Sequence, residues 1–229
     1  MERIMGCDKC YDRGYLLNDK REWDGLCDCP AGQKYLAKHI EKTFTEANIP
    51  HEFWKLELKD FIPQVHSVQH INFVERTASV IKSVPNIMKS SFIWVIYGDE
   101  GTGKTLAATL VLKEAIDKGF KVRYVLWGDI IANKLKTSDI DKYLHDLKTA
   151  EMLCIDRVGG DSIGRESKFP NEILDSILSV RYSNQLPTII ILSTEFMEAA
   201  GRLPVLLSRV REQDKSEVRG MNYITQRKV

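Results

Sequence analysis

Gly98-Asp99-Glu100-Gly101-Thr102-Gly103-Lys104-Thr105 satisfies G-x-x-x-x-G-K-[ST] at every defined position. Its flanks decide the fold. Before it, Phe92-Ile-Trp-Val-Ile-Tyr97 is a continuous apolar run, as in a parallel strand buried on both faces. After it, Thr105 to Ile116 has helical character and stops near Gly119. Strand, glycine-rich turn and helix in this order form a phosphate-binding loop. The glycines at 98, 101 and 103 let successive N–H groups turn inward at the positive end of the helix. The cradle is then residues Gly98, Asp99, Glu100, Gly101, Thr102, Gly103, Lys104 and Thr105. Lys104 reaches the β and γ phosphates of a bound triphosphate, and the Thr105 hydroxyl ligates Mg²⁺. A glycine-rich turn with a solvated lysine explains the motif but not its flanks.

Composition narrows the class. Charged residues at 28% and hydrophobic ones at 43% are ordinary for a folded soluble chain of 229 residues, and the net charge of +1 neither demands nor excludes nucleic acid. No apolar run approaches the roughly 20 residues of a membrane span, and Met1-Glu-Arg-Ile-Met-Gly lacks a signal-peptide core. The expectation is a cytoplasmic protein without membrane contact. In a reducing compartment, clustered cysteines point to metal before disulfides.

Four of the five cysteines are clustered. Cys7-Asp-Lys-Cys10 and Cys27-Asp-Cys29 form C-x₂-C and C-x-C pairs around a sixteen-residue spacer. Four thiolates suit a tetrahedral, structural Zn²⁺ site of zinc-ribbon type and leave no open position for catalysis. With only Tyr11, Tyr15, Leu16, Leu17, Trp23 and Leu26 to bury, this segment needs such a staple. Unligated thiols or a redox pair are the alternatives.

A helix is expected over 33–47, broken by Asn48-Ile-Pro50, where the domain boundary is placed: 1–48 and 49–229. Residues 51–63 read as extended chain. A helix over 65–84 carries Val68, Ile71, Phe73, Val74, Ala78 and Ile81 on one side. Lys121 to Trp127 is a strand, followed by one or two helices to Leu147. Glu151-Met-Leu-Cys-Ile-Asp156 is an apolar strand ending in an acid, the form that orders Mg²⁺ beside a phosphate-binding loop, so Asp156 joins Thr105 at magnesium. Cys154 within it is a small core residue. A helix over 171–184, a strand over 187–194 ending in Ser193 and Thr194, a short helix over 203–211 and a last strand over 217–224 complete the chain. This alternation predicts an α/β fold with a five-stranded parallel sheet covered on both faces, its ligands at the carboxyl ends of the strands.

Together these motifs resemble the replicative helicase loaders of the DnaC/DnaI type, among the AAA+ ATPases and close to the IstB transposition ATPases. The resemblance spans nearly the whole chain: a Cys-rich leading module as in many phage-borne loaders, Ile49-Pro50…Phe53…Leu58-Lys-Asp-Phe61, the phosphate-binding loop, the Asp156 strand, Leu186-Pro-Thr-Ile-Ile, and Leu207-Ser-Arg209-Val-Arg211. It implies a P-loop NTPase fold of AAA+/RecA-like form without a full carboxyl-terminal lid. It also implies ATPase activity and Phe61 in the segment that contacts the adenine. Ser193 or Thr194 falls at the polar sensor position, and Arg209, with Arg211 as competitor, matches an arginine finger reaching the neighbouring subunit's γ-phosphate. Implied partners are a replicative helicase hexamer of the DnaB family, single-stranded DNA, and further copies in a helical or open-ring homo-oligomer. Lys134 and Lys136 are candidates for DNA contact.

The sequence departs from the family at Arg157. The family places a second acid there to position the attacking water, and a cation cannot act as that base. Either turnover is weak and ATP binding is the working signal, or Asp161 or Glu166 substitutes. The competing implication is an IstB-like ATPase that coats duplex DNA and recruits a transposase. A third is a nucleotide-gated adaptor bridging two proteins.

Overall fold

The computed structural model describes residues 6–61, 68–136, 140–159, 169–192 and 221–224, with side chains described at all of these except 23, 134–136, 169–171 and 221–224. The chain forms two compact units, Met1–Glu46 and Ala47–Val229. Among the described residues no helix is long and apolar enough to cross a membrane.

In the first unit the two cysteine pairs bracket a hairpin, β1 (Tyr15–Leu17) antiparallel to β2 (Trp23–Leu26), and helix α1 (Pro30–Glu46) begins directly after the second pair. Pro30 opens the helix, where a missing N–H costs nothing, so α1 starts three residues earlier than its periodicity implied. The unit is therefore a knuckle, hairpin and helix, not a plain ribbon. Leu36 and Ile40 of this helix are 40% and 37% exposed.

The second unit is organised on a parallel sheet of β3 (Ile93–Gly98), β4 (Val122–Leu126), β5 (Met152–Val158), β6 (Thr188–Leu192) and β7 (Met221–Ile224), in the order β4-β5-β6-β3-β7. The apolar runs of β3, β5 and β6 are buried on both faces. One face carries α5 (Trp127–Lys136), α6 (Ile140–Thr149) and α7 (Phe169–Ser183), whose Ile130, Leu147, Leu174 and Ile177 pack on Val95, Leu153, Ile155 and Ile190. Against the other lie α2 (Val68–Lys82), α3 (Val84–Ile87) and α4 (Lys104–Asp117). α4 is apolar nearly all round and buries Ala107, Ala108, Leu110, Val111, Leu112 and Ala115.

Three expectations are corrected. Residues 51–60 are not extended: His51–Phe53 and Leu58–Asp60 are 3₁₀ turns, the second closed by a reciprocal Glu57–Asp60 capping box. The buried stripe of α2 is His70, Phe73, Thr77 and Val80, while Val68 and Ile71 are exposed. β5 continues past Asp156 to Val158 through a register shift, with Arg157 at φ +61°. The short helix expected over 203–211 lies outside the described residues.

Arg181 is a buried cation that reading the sequence did not anticipate. It is fully buried and donates from Nε to Thr188 Oγ1 (2.9 Å), from Nη1 to the carbonyls of Leu147 (2.9 Å) and Ala150 (2.7 Å), and from Nη2 to that of Pro187 (2.7 Å). Burial pushes the guanidinium down to about 9. One side chain thus ties the end of α6 to the start of β6.

Candidate nucleotide and metal sites

Strand order reverses at β3, which lies between β6 and β7, and ligands of such sheets bind at the carboxyl ends of the strands beside such a switch. The phosphate-binding loop lies there. Lys104 Nζ donates across the loop to the carbonyls of Gly98 (2.9 Å) and Asp99 (2.5 Å), and Thr102 Oγ1 donates to the Asp99 carbonyl at 2.8 Å. Burial lowers the Lys104 ammonium from its usual value, opposed by the charges of Asp156, Asp99 and Glu100. Its cation is thus held against the carbonyls of Gly98 and Asp99, inside the glycine-rich loop at the start of α4.

Asp156 closes the site from β5. It is 2% exposed, and its Oδ2 accepts from the Thr105 hydroxyl at 2.9 Å and from the Tyr124 hydroxyl at 2.6 Å. Its Oδ1 accepts the Arg157 backbone N–H at 2.7 Å. Burial first, and then the Asp156 charge, holds the Tyr124 phenol far above its usual value, so it stays a donor. Thr105 and Asp156 together offer the hard oxygen donors that magnesium requires, and the residues present fit that ion. The Arg157 side chain is exposed.

Phe61 is 5% exposed and meets His70 and Phe73 edge-on, ring centroids 6.0 and 5.5 Å away. Gly103 sits at φ +85°, and a Cβ there would enter the Phe61 ring. The ring therefore rests on the turn that begins α4, and this residue pair links the 51–61 segment to the glycine-rich loop. Lys113 of α4 holds that segment: its Nζ donates to the carbonyls of Phe53 (3.4 Å), Trp54 (3.0 Å) and Leu56 (2.5 Å).

The four cysteines of the first unit come together. Their sulfurs all lie within 4.8 Å of one another, with Cys7–Cys27 at 3.6 Å and Cys10–Cys29 at 3.5 Å. Tetrahedral thiolates on zinc would stand about 3.8 Å apart, so the donor set fits that ion. The Cys10 N–H draws the Cys7 thiol down to about 7. For Cys27 the Cys29 N–H acts in the same sense, but burial and the neighbouring sulfurs outweigh it and push the thiol up to about 12. Gly32 seats the helix against the second pair, since a Cβ there would strike the Cys27 carbonyl.

Ser193, Thr194, Arg209, Arg211, Asp161 and Glu166 lie outside the described residues, as do the side chains of Lys134 and Lys136. β6, which leads to Ser193, runs between β3 and β5. Two residues of the site escaped the sequence reading. Tyr124 gave no signal before the β4–β5 register was known, and Lys113 resembled any solvated helix lysine.

Fold and site define a P-loop, AAA+ type ATP-binding protein. A family model described as IstB-like ATP binding protein matches residues 52–199, and the chain belongs to that family. No curated protein matches the chain. Among solved structures it is similar to the DnaC helicase loader, at TM-score 0.58 and 21% identity over 77% of this chain and 99% of that one. It is also similar to DnaI, at 0.57 and 18% over 79% and 92%. The third is AMPPCP-bound DnaA from Aquifex aeolicus, at 0.57 and 19% over 77% of this chain and 50% of that one. The match thus spans about half of that solved DnaA chain. At these identities the likeness establishes the fold.

Proposed function

We propose that the chain is an ATP-dependent loader that binds a DnaB-family replicative helicase hexamer and delivers it onto single-stranded DNA. Residues 1–48 form the zinc-binding, helicase-gripping domain and 49–229 the ATPase. The observation that carries this reading is the combination of a separate four-cysteine unit with a nucleotide-binding unit whose fold matches nearly all of the solved DnaC loader chain.

In this reading Lys104 and the loop N–H groups hold the β and γ phosphates, and Phe61 lies beside the adenine. Thr105 and Asp156 hold magnesium, which neutralises phosphate charge when bound. Ser193 or Thr194 senses the γ-phosphate, and Arg209 reaches it from the next copy in a nucleotide-dependent homo-oligomer. Arg157 stands where a base would be, so intrinsic turnover is weak and ATP binding carries the signal.

The test is capture of the replicative helicase by the full chain from the source cell's lysate, with and without ATP and magnesium, identified by mass spectrometry. ATP-dependent capture together with a preference for single-stranded DNA supports loading. The family match favours a second reading, a transposition ATPase that coats duplex DNA. No helicase capture and ATP-dependent duplex binding would select it.

A further inference from the structure

Tyr124 sits on β4 opposite Cys154 of β5, two residues before the Asp156 level. Side chains alternate across a strand, so Tyr124 and Asp156 share a face and the ring reaches diagonally to the carboxylate. It is held from both ends. Its N–H donates to the Ala47 carbonyl at 2.8 Å and its carbonyl accepts from Asn48 Nδ2 at 3.1 Å, so the first residues of the second unit line the outer edge of β4. Its hydroxyl donates to Asp156 Oδ2 at 2.6 Å, on the same oxygen that Thr105 uses. Tyr124 is only 3% exposed, so close packing around the ring leaves the hydroxyl little room to move off the carboxylate.

We propose that Tyr124 is a positioning residue: its hydroxyl fixes the Asp156 carboxylate so that Oδ2 and the Thr105 hydroxyl face the metal together. The inference rests on the reading of the site as an ATP and magnesium site. A phenylalanine would fill the same volume and leave β4 unchanged. What it would lose is the bond that orients a buried carboxylate, the kind of support that tunes a metal site without touching the metal.

The experiment uses the full chain and a fluorescent ATP analogue, measuring affinity in EDTA and the magnesium concentration at half-maximal binding. Tyr124→Phe is expected to raise the magnesium midpoint about tenfold and to leave affinity in EDTA unchanged. Asp156→Asn also raises the midpoint, and adding Tyr124→Phe to it changes nothing more, because the hydroxyl acts through that carboxylate. An unchanged midpoint, an equal loss with and without metal, or additive effects in the double variant would overturn the proposal. A wild-type chain that binds no nucleotide would instead overturn the site reading, and this inference with it.

Discussion

The Thr105 hydroxyl donates to Asp156 Oδ2 across 2.9 Å, joining the end of the phosphate-binding loop to a strand residue 51 positions later. The same carboxylate takes Tyr124 and the Arg157 N–H, so it both organises the site and satisfies buried donors. Asp156→Ala should therefore destabilise the second unit by about 1–3 kcal/mol. It should also weaken nucleotide binding in magnesium at least about tenfold. Urea unfolding and nucleotide titration check the two effects separately, and unchanged binding would remove Asp156 from the metal.

Gly103→Ala meets two obstacles, the backbone at φ +85° and the Phe61 ring. The expected loss is about 2–4 kcal/mol, of which the left-handed backbone accounts for about 1–2 kcal/mol. In a Phe61→Leu background only the backbone part should remain. Strict additivity in urea unfolding would show that the ring does not rest on the loop.

Arg157→Glu restores an acid beside Asp156. If the missing base is what limits turnover, steady-state phosphate release should rise at least about tenfold while nucleotide affinity stays the same. An unchanged rate would assign the base to Asp161 or Glu166, and a vigorous wild-type rate would contradict weak turnover outright.

Arg181→Met leaves three carbonyls and the Thr188 hydroxyl without their buried donor. The expected cost is about 2–4 kcal/mol. Arg181→Lys should recover little of it, because one ammonium cannot span the fork of acceptors. Full recovery by lysine would mean that charge, not geometry, matters there.

Purified protein should carry one zinc per chain, and Cys27→Ser or a strong chelator should remove it. Amide protection over 6–46 should then collapse while nucleotide affinity is retained, since thiolate ligation supplies folding free energy to a unit with little core. Equal metal content in wild type and Cys27→Ser would count against a four-thiolate site.

The phosphate-binding loop, its strand and helix, the Asp156 strand and the paired cysteines were legible because each is a local pattern with its chemistry written in consecutive residues. The parallel sheet followed from the alternation of apolar runs and amphipathic stretches. The segment over 51–60 was misread because 3₁₀ turns closed by a capping box leave no periodicity, and the α2 stripe because His70 and Thr77 are polar residues that the fold buries.

What the sequence by itself determined is most of the elements, the glycine-rich loop between β3 and α4, and the two cysteine pairs that cluster in the first unit. Strand register decided the rest. Only pairing β4 with β5 brings Tyr124 to Asp156, and only packing α6 and α7 against β6 gives Arg181 its acceptors. A hydrogen bond between residues tens of positions apart depends on where the backbone goes in space, and no pattern of neighbours along the chain encodes that distance.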